Sequence, residues 1–209
     1  RSITTIDFLI NAGAKVILGS HLGRPKGIVN SDLSLKIVSE RLSELMERPV
    51  VFCNDFKDKG WTNKFDKLPK GSVVLLENLR FFKEETDNDS EFSKLLASFA
   101  DIYVNDAFGT SHRAHASTFG MATNFKSKLA GFLVDKELRF ISKMLEQVEK
   151  PFVVIIGGSK IKDKISAMSK LLDKADKIII AGGAAYTFIK ANGGKIGNSI
   201  FESEMVEWA

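Results

Sequence analysis

The stretch Ala14-Lys15-Val16-Ile17-Leu18-Gly19-Ser20-His21-Leu22-Gly23-Arg24-Pro25 sets a short apolar run against a loop of glycine, histidine and arginine. A run of that length with β-branched residues, closed by turn formers, predicts a strand. The unit recurs along the chain. Residues 50–53, 72–76, 102–104, 152–156 and 177–181 are further runs of this kind, each expected to be a strand buried on both faces. Between them apolar residues return every three or four positions, as in Leu35, Val38, Leu42, Leu45 and Met46, with Ser31 or Asp32 placed to cap. Phe92, Leu95, Leu96 and Phe99 repeat the pattern after Asp89. Strands alternating with helices predict an α/β fold with a mostly parallel sheet between two helical layers.

Residues 135–148 (Leu138, Ile141, Leu145, Val148) form one longer helical pattern that ends before Pro151, after which a new strand-helix-strand run begins. The organisation expected is an N-terminal lobe of residues 1–134, a connecting helix over 135–150 and the beginning of a second lobe over 151–209. Of the 209 residues, 44% are hydrophobic and 27% charged, which excludes disordered and fibrous classes. Thirty Lys+Arg against 26 Asp+Glu give a net charge of +4, an excess that suits anionic small molecules as well as nucleic acid. The single cysteine, Cys53, reads as a small buried hydrophobe, and the 16 phenylalanines as core. No apolar run approaches a membrane span and no signal peptide opens the chain, so a soluble, cytoplasmic setting is expected. Arg1 in place of Met, and the lack of a terminating pattern at Ala209, suggest a piece of a longer polypeptide.

In open parallel sheets, ligands bind beyond the carboxyl ends of strands. His21 and Arg24 follow the first strand, Arg80 follows 72–76, and His112, Arg113 and His115 follow 102–104. Guanidinium forks and imidazoles gathered in one cleft suit carboxylate and phosphate oxygens. Solvated strand ends would account for any one of these residues, less readily for the set. His21, His112 and His115 could be imagined on a metal, but neighbouring arginines would repel a cation and no carboxylate joins the pattern.

In the second lobe the strand at 152–156 runs into Gly157-Gly158-Ser159-Lys160, with Lys164 expected one turn on along the same helix face, and 177–181 runs into Gly182-Gly183. Glycines at a helix start let backbone N–H groups approach a phosphate. The signal is weak by itself, for neither a P-loop nor a G-x-G-x-x-G motif is present, and a solvated lysine face is the alternative.

Taken together, Ser20–Gly27 (SHLGRPKG), 75–81 (LLENLRF), 105–117 (NDAFGTSHRAHAS), 130–138 (AGFLVDKEL), 157–165 (GGSKIKDKI) and 182–188 (GGAAYTF) resemble, in order and spacing, the motifs of the phosphoglycerate kinase family. The resemblance covers the whole chain. It implies a two-lobed kinase with Rossmann-like domains that reversibly transfers the acyl phosphate of 1,3-bisphosphoglycerate to ADP, giving 3-phosphoglycerate and ATP in glycolysis. By motif, His21, Arg24, Arg80, Arg113 and His115 look like the acid-substrate clamp. Lys160 resembles the catalytic lysine, with Arg24 beside it in the catalytic set. Gly158, Lys160 and Lys164 resemble nucleotide-phosphate contacts, and Gly182 and Gly183 part of the adenine pocket, although Ala181 stands where many members have glycine.

The resemblance further implies small-molecule substrates, a monomer, no nucleic-acid or membrane partner, and magnesium carried with ADP or ATP. The magnesium ligand is expected outside this chain, as is the family's opening strand with its Asp, Asn and Arg; Arg1 falls past that arginine's place and takes no role. Without those segments the 209 residues alone are expected not to turn over. Two rival classes are a binding module for nucleic acid or polyphosphate, which needs stacking aromatics along a basic face, and an inert structural piece.

Overall fold

A computed structural model describes every residue except Gln147, and of Lys59, Thr62, Met144, Leu145 and Asp163 only the backbone. The described residues form two compact units, Arg1–Leu138 and Arg139–Ala209.

In the first unit the chain runs through α1 (Ile3–Asn11), β1 (Val16–Leu18), α2 (Lys36–Met46), β2 (Val50–Cys53), α3 (Lys59–Lys67) and β3 (Val73–Leu76). It continues through α4 (Lys83–Asp87), α5 (Ser90–Ala97), β4 (Ile102–Asn105) and β5 (Ser127–Ala130) into α6 (Phe132–Glu146). β3 lies between β1 and β2 in a parallel sheet, with Val73 opposite both Val16 and Val50. All four β3 residues are buried because helices cover both faces. Val74 and Leu76 pack with Phe56, Phe65 of α3 and Phe92 and Leu96 of α5, whereas Val73 packs with Ile6 and Ile10 of α1 and Met46 of α2. That is the three-layer αβα arrangement the alternation predicts. β4 and β5 form a separate two-stranded parallel sheet.

The second unit takes the C-terminal part of α6 and adds β6 (Val153–Gly157), α7 (Ile165–Leu172), β7 (Lys177–Ala181) and α8 (Gly183–Ala191). β6 and β7 are parallel and in register from Val153↔Lys177 to Gly157↔Ala181. Their covered face packs Ile156 and Ile180 against Ile161, Met168 and Ala184.

Several expectations need correcting. Among the described strands only β3 is buried at every position; β1 and β2 reach the apolar clusters on both faces but are mostly half-buried, and Val153, Ile155 and Ile179 are exposed, because β6 and β7 carry helices on one face only among the described residues. Ser31 and Asp32 do not cap α2. They belong to a 3₁₀ turn capped by Asn30, and the entry to α2 is held instead by Glu77, which accepts from Leu35 N (2.8 Å) and Ser34 Oγ (2.7 Å). Asp89 does cap α5, accepting from Phe92 N at 2.8 Å. Phe8, Phe119, Phe132, Phe140 and Phe201 are exposed rather than core. The connecting helix begins three residues early, at Phe132, and is described to Glu146; Gln147 of the expected span lies outside the described residues and Val148 is not helical. Cys53 is fully buried, and burial pushes its thiol up to about 12.

Candidate functional site

The first candidate site is assembled by a fully buried asparagine. Asn78, just past β3, donates through Nδ2 to Leu22 O and Leu33 O, both at 2.8 Å, while its Oδ1 accepts from Arg80 N at 3.1 Å. One side chain thereby locks the loop of His21 and Arg24 to the loop of Arg80. Arg80 returns the contact, with Nη1 donating to Gly23 O at 2.9 Å. Gly23 is required in this turn, since its φ is +64° and a Cβ would stand 2.8 Å from the Leu33 side chain.

The third loop is held by Glu85. This buried carboxylate accepts from Ser117 N (2.9 Å) and Ser117 Oγ (2.6 Å), and its Oε1 stands 3.7 Å from His115 Nδ1. Arg113 donates from Nε to His112 Nε2 at 3.3 Å.

Arg24, Arg80, Arg113 and His115 then line one open cleft of about 480 Å³, joined by Lys26, Lys83 and Thr86, which the sequence did not single out. His21 stands beside them: burial, then Arg80, Arg113 and His115, lower its imidazole from the ordinary value. His115 is lowered first by burial and further by Arg80, Arg113 and His112, with Glu85 opposing. The Arg80 guanidinium is likewise lowered by burial and by Arg113, and its Nε is buried with no protein acceptor. Mutually repelling cations held by side chains and backbone form a site that an oxyanion would relieve. Among the described residues no three His, Cys, Asp or Glu side chains stand together as a metal would need.

In the second unit, β6 and β7 end side by side in glycine loops. Gly158 has φ +137° and Gly182 φ +68°, and a Cβ on Gly182 would come within 3.2 Å of Gly158 N and O. One on Gly183 would stand 3.0 Å from Ser159 Cα, and Ala184 N donates to Gly158 O at 2.7 Å. The two loops thus touch backbone to backbone. The lysines are not arranged as the spacing implied. Lys160 precedes a 3₁₀ turn at Lys162–Lys164 and α7 starts only at Ile165, so the pair shares no helix face. Lys164 instead folds back, its Nζ donating to Lys160 O at 2.9 Å over Gly158. The loop is anchored from afar by Glu202, which accepts from Ile161 N and Lys162 N. With Glu202 41 positions from Ile161, no local pattern could reveal the contact.

A family model described as phosphoglycerate kinase matches residues 1–209. The phosphoglycerate kinase of Clostridium novyi (strain NT) is 51% identical over 210 residues, covering 100% of this chain and 53% of the relative. That of Clostridioides difficile (strain 630) is 49% identical with 100% and 52% covered. Among solved structures, phosphoglycerate kinase from Coxiella burnetii superposes with a TM-score of 0.83 at 41% identity, over 100% of this chain and 52% of that one. The enzyme from Pyrococcus horikoshii OT3 gives 0.81 at 32% identity, over 92% and 49%. The chain spans about half the length of the curated relatives it matches. No helix among the described residues is long and apolar enough to cross a membrane.

Proposed function

The chain belongs to the phosphoglycerate kinase family, and from that premise we propose that it carries the acid-substrate clamp and nucleotide-phosphate loops of an enzyme exchanging a phosphoryl group between 1,3-bisphosphoglycerate and ADP. The observation that carries this reading is the meeting of Arg24, Arg80, Arg113 and His115 around one cleft. Phosphoryl transfer asks little covalent chemistry of a protein; it needs positive charge and in-line positioning. The clamp residues, with His21 beside them, hold the anionic groups of the phosphoglycerate. Lys160 neutralises the group in flight, and Arg24 of the clamp counts with the catalytic residues. Gly158 and Lys164 contact the nucleotide phosphates, and Gly182 and Gly183 border the base.

In this reading residues 1–134 bind the acid, 135–150 connect the lobes and 151–209 begin the nucleotide lobe, in a monomeric cytoplasmic enzyme. Magnesium, which nucleotide chemistry of this family brings, does not fit the donors described. The glycine loops offer backbone amides and lysines, which suit phosphate oxygens, and among the described residues no carboxylate cluster stands by.

The nucleic-acid reading lacks support where it needs it most, for among the described residues no Phe, Tyr or Trp lines the basic cleft. Calorimetric titration of the 209-residue chain separates the two. Saturable binding of 3-phosphoglycerate with no binding of a short RNA is expected, and the reverse would overturn the assignment. A coupled turnover assay on a chain extended to its relatives' length tests the reaction itself.

A further inference from the structure

The carboxylate of Asp106 has no place in the clamp, and its contacts point elsewhere. Asp106 follows β4 at the head of the loop that carries Arg113 and His115. Its Oδ1 accepts from Leu133 N at 2.9 Å and Val134 N at 3.3 Å, two first-turn amides of α6, while Oδ2 is buried without a partner. The approach is so close that a Cβ on Gly131 would stand 2.2 Å from Oδ1. Gly131 N donates to Asn105 O at 2.8 Å, and Phe132 N to Thr5 Oγ1 at 3.0 Å. The first N–H groups of α6, which a helix leaves without internal acceptors, are thus taken largely by the head of this one loop.

The loop is itself wired from Asp106 to the clamp. Ala107 O accepts from Thr110 N (3.1 Å) and Oγ1 (2.9 Å), Thr110 O from Arg113 N (3.0 Å), and Arg113 O from Thr118 Oγ1 (2.6 Å). α6 runs on past Leu138, where the first unit ends. We infer that Asp106 is a positioning residue that ties the Arg113–His115 loop to the first turn of α6, so that ordering of the loop by a bound oxyanion tightens the start of the helix joining the two units. The inference rests on the reading of Arg113 and His115 as acid-substrate ligands.

Hydrogen exchange at the Leu133 and Val134 amides of the 209-residue chain, read by NMR with and without 3-phosphoglycerate, tests it. In the native chain the ligand should slow exchange at both amides at least threefold. Asp106→Ala should abolish that response while phosphoglycerate affinity stays within about threefold. Asp106→Asn, which keeps an accepting oxygen, should restore at least half of it. Thr5→Val, which removes only the acceptor of Phe132, should leave it intact; equal loss in Thr5→Val would reduce Asp106 to general support of the helix and overturn the proposal.

Retention of the response in Asp106→Ala would overturn it as well. Should phosphoglycerate bind no form of the chain, the substrate reading falls. The link is then decided without ligand. Asp106→Ala must both speed exchange at the two amides at least tenfold and move the Arg113 and His115 resonances, and failure of either refutes the link.

Discussion

Burial, and after it Arg80 and Arg113, holds the imidazoles of His21 and His115 below their ordinary value, so the clamp in its free form is a set of mutually repelling arginines beside uncharged histidines. An anion converts that repulsion into attraction, and each charge-assisted contact should contribute roughly 1.5–3 kcal/mol. Arg113→Ala is therefore expected to weaken 3-phosphoglycerate binding roughly tenfold to a hundredfold by calorimetry, and unchanged affinity would remove Arg113 from the clamp. The histidines make stability depend on acidity. Both are held below their ordinary value of 6.5 in the folded chain, so between the folded values and 6.5 the unfolded state binds more protons. Stability is then full above about 6.5 and lost as pH falls through that region. The urea midpoint should be lower at about pH 5.5 than at about pH 7.5, and His21→Gln with His115→Gln should flatten the difference. A midpoint that rises on acidification would contradict the sign.

α8 begins where Gly182 crosses against Gly158, with a φ of +68° that most side chains avoid and a Cβ that would press to 3.2 Å on the Gly158 backbone. Gly182→Ala should destabilise the second unit by about 1–3 kcal/mol, seen as an earlier unfolding transition of that unit; an unchanged transition would show that the loop yields. Capping at α5 offers a milder change: Asp89→Ala removes the acceptor of Phe92 N and should cost about 1 kcal/mol by urea unfolding. Buried, β-branched elements announced themselves in the sequence: β3 is apolar at every position because both its faces are covered, and α5 shows a cap and a stripe. β5 did not, since Ser127-Lys128-Leu129-Ala130 is exposed throughout and carries neither an apolar run nor an alternation. The clamp's histidines and arginines were legible because strand ends in parallel sheets face ligands. Lys26 and Lys83 were not, being two among 30 basic residues until the loops folded together. Asn78, Glu85 and Asp106 act on residues 27 to 56 positions away, beyond the reach of any periodicity.

The two units have separate apolar cores, one around Phe56 and Val74 and another around Ile161 and Met168. Independent cores predict separable unfolding, and the two tryptophans of the chain fall one to each unit, Trp61 in the first and Trp208 in the second. Phe56→Ala should lower the transition reported by Trp61 by about 3–5 kcal/mol and leave that of Trp208 nearly in place. Met168→Ala should do the opposite at about 2–5 kcal/mol; coincident shifts in both variants would mean that the chain unfolds as one body. The bond from Phe132 N to Thr5 Oγ1 spans 127 residues, close to the whole length of the first unit. A contact of such separation must wait for loop closure across everything between its ends. During synthesis on the ribosome α1 is made early and its partner in α6 late, so the nascent first unit has to hold Thr5 in readiness until the polypeptide has grown past Phe132.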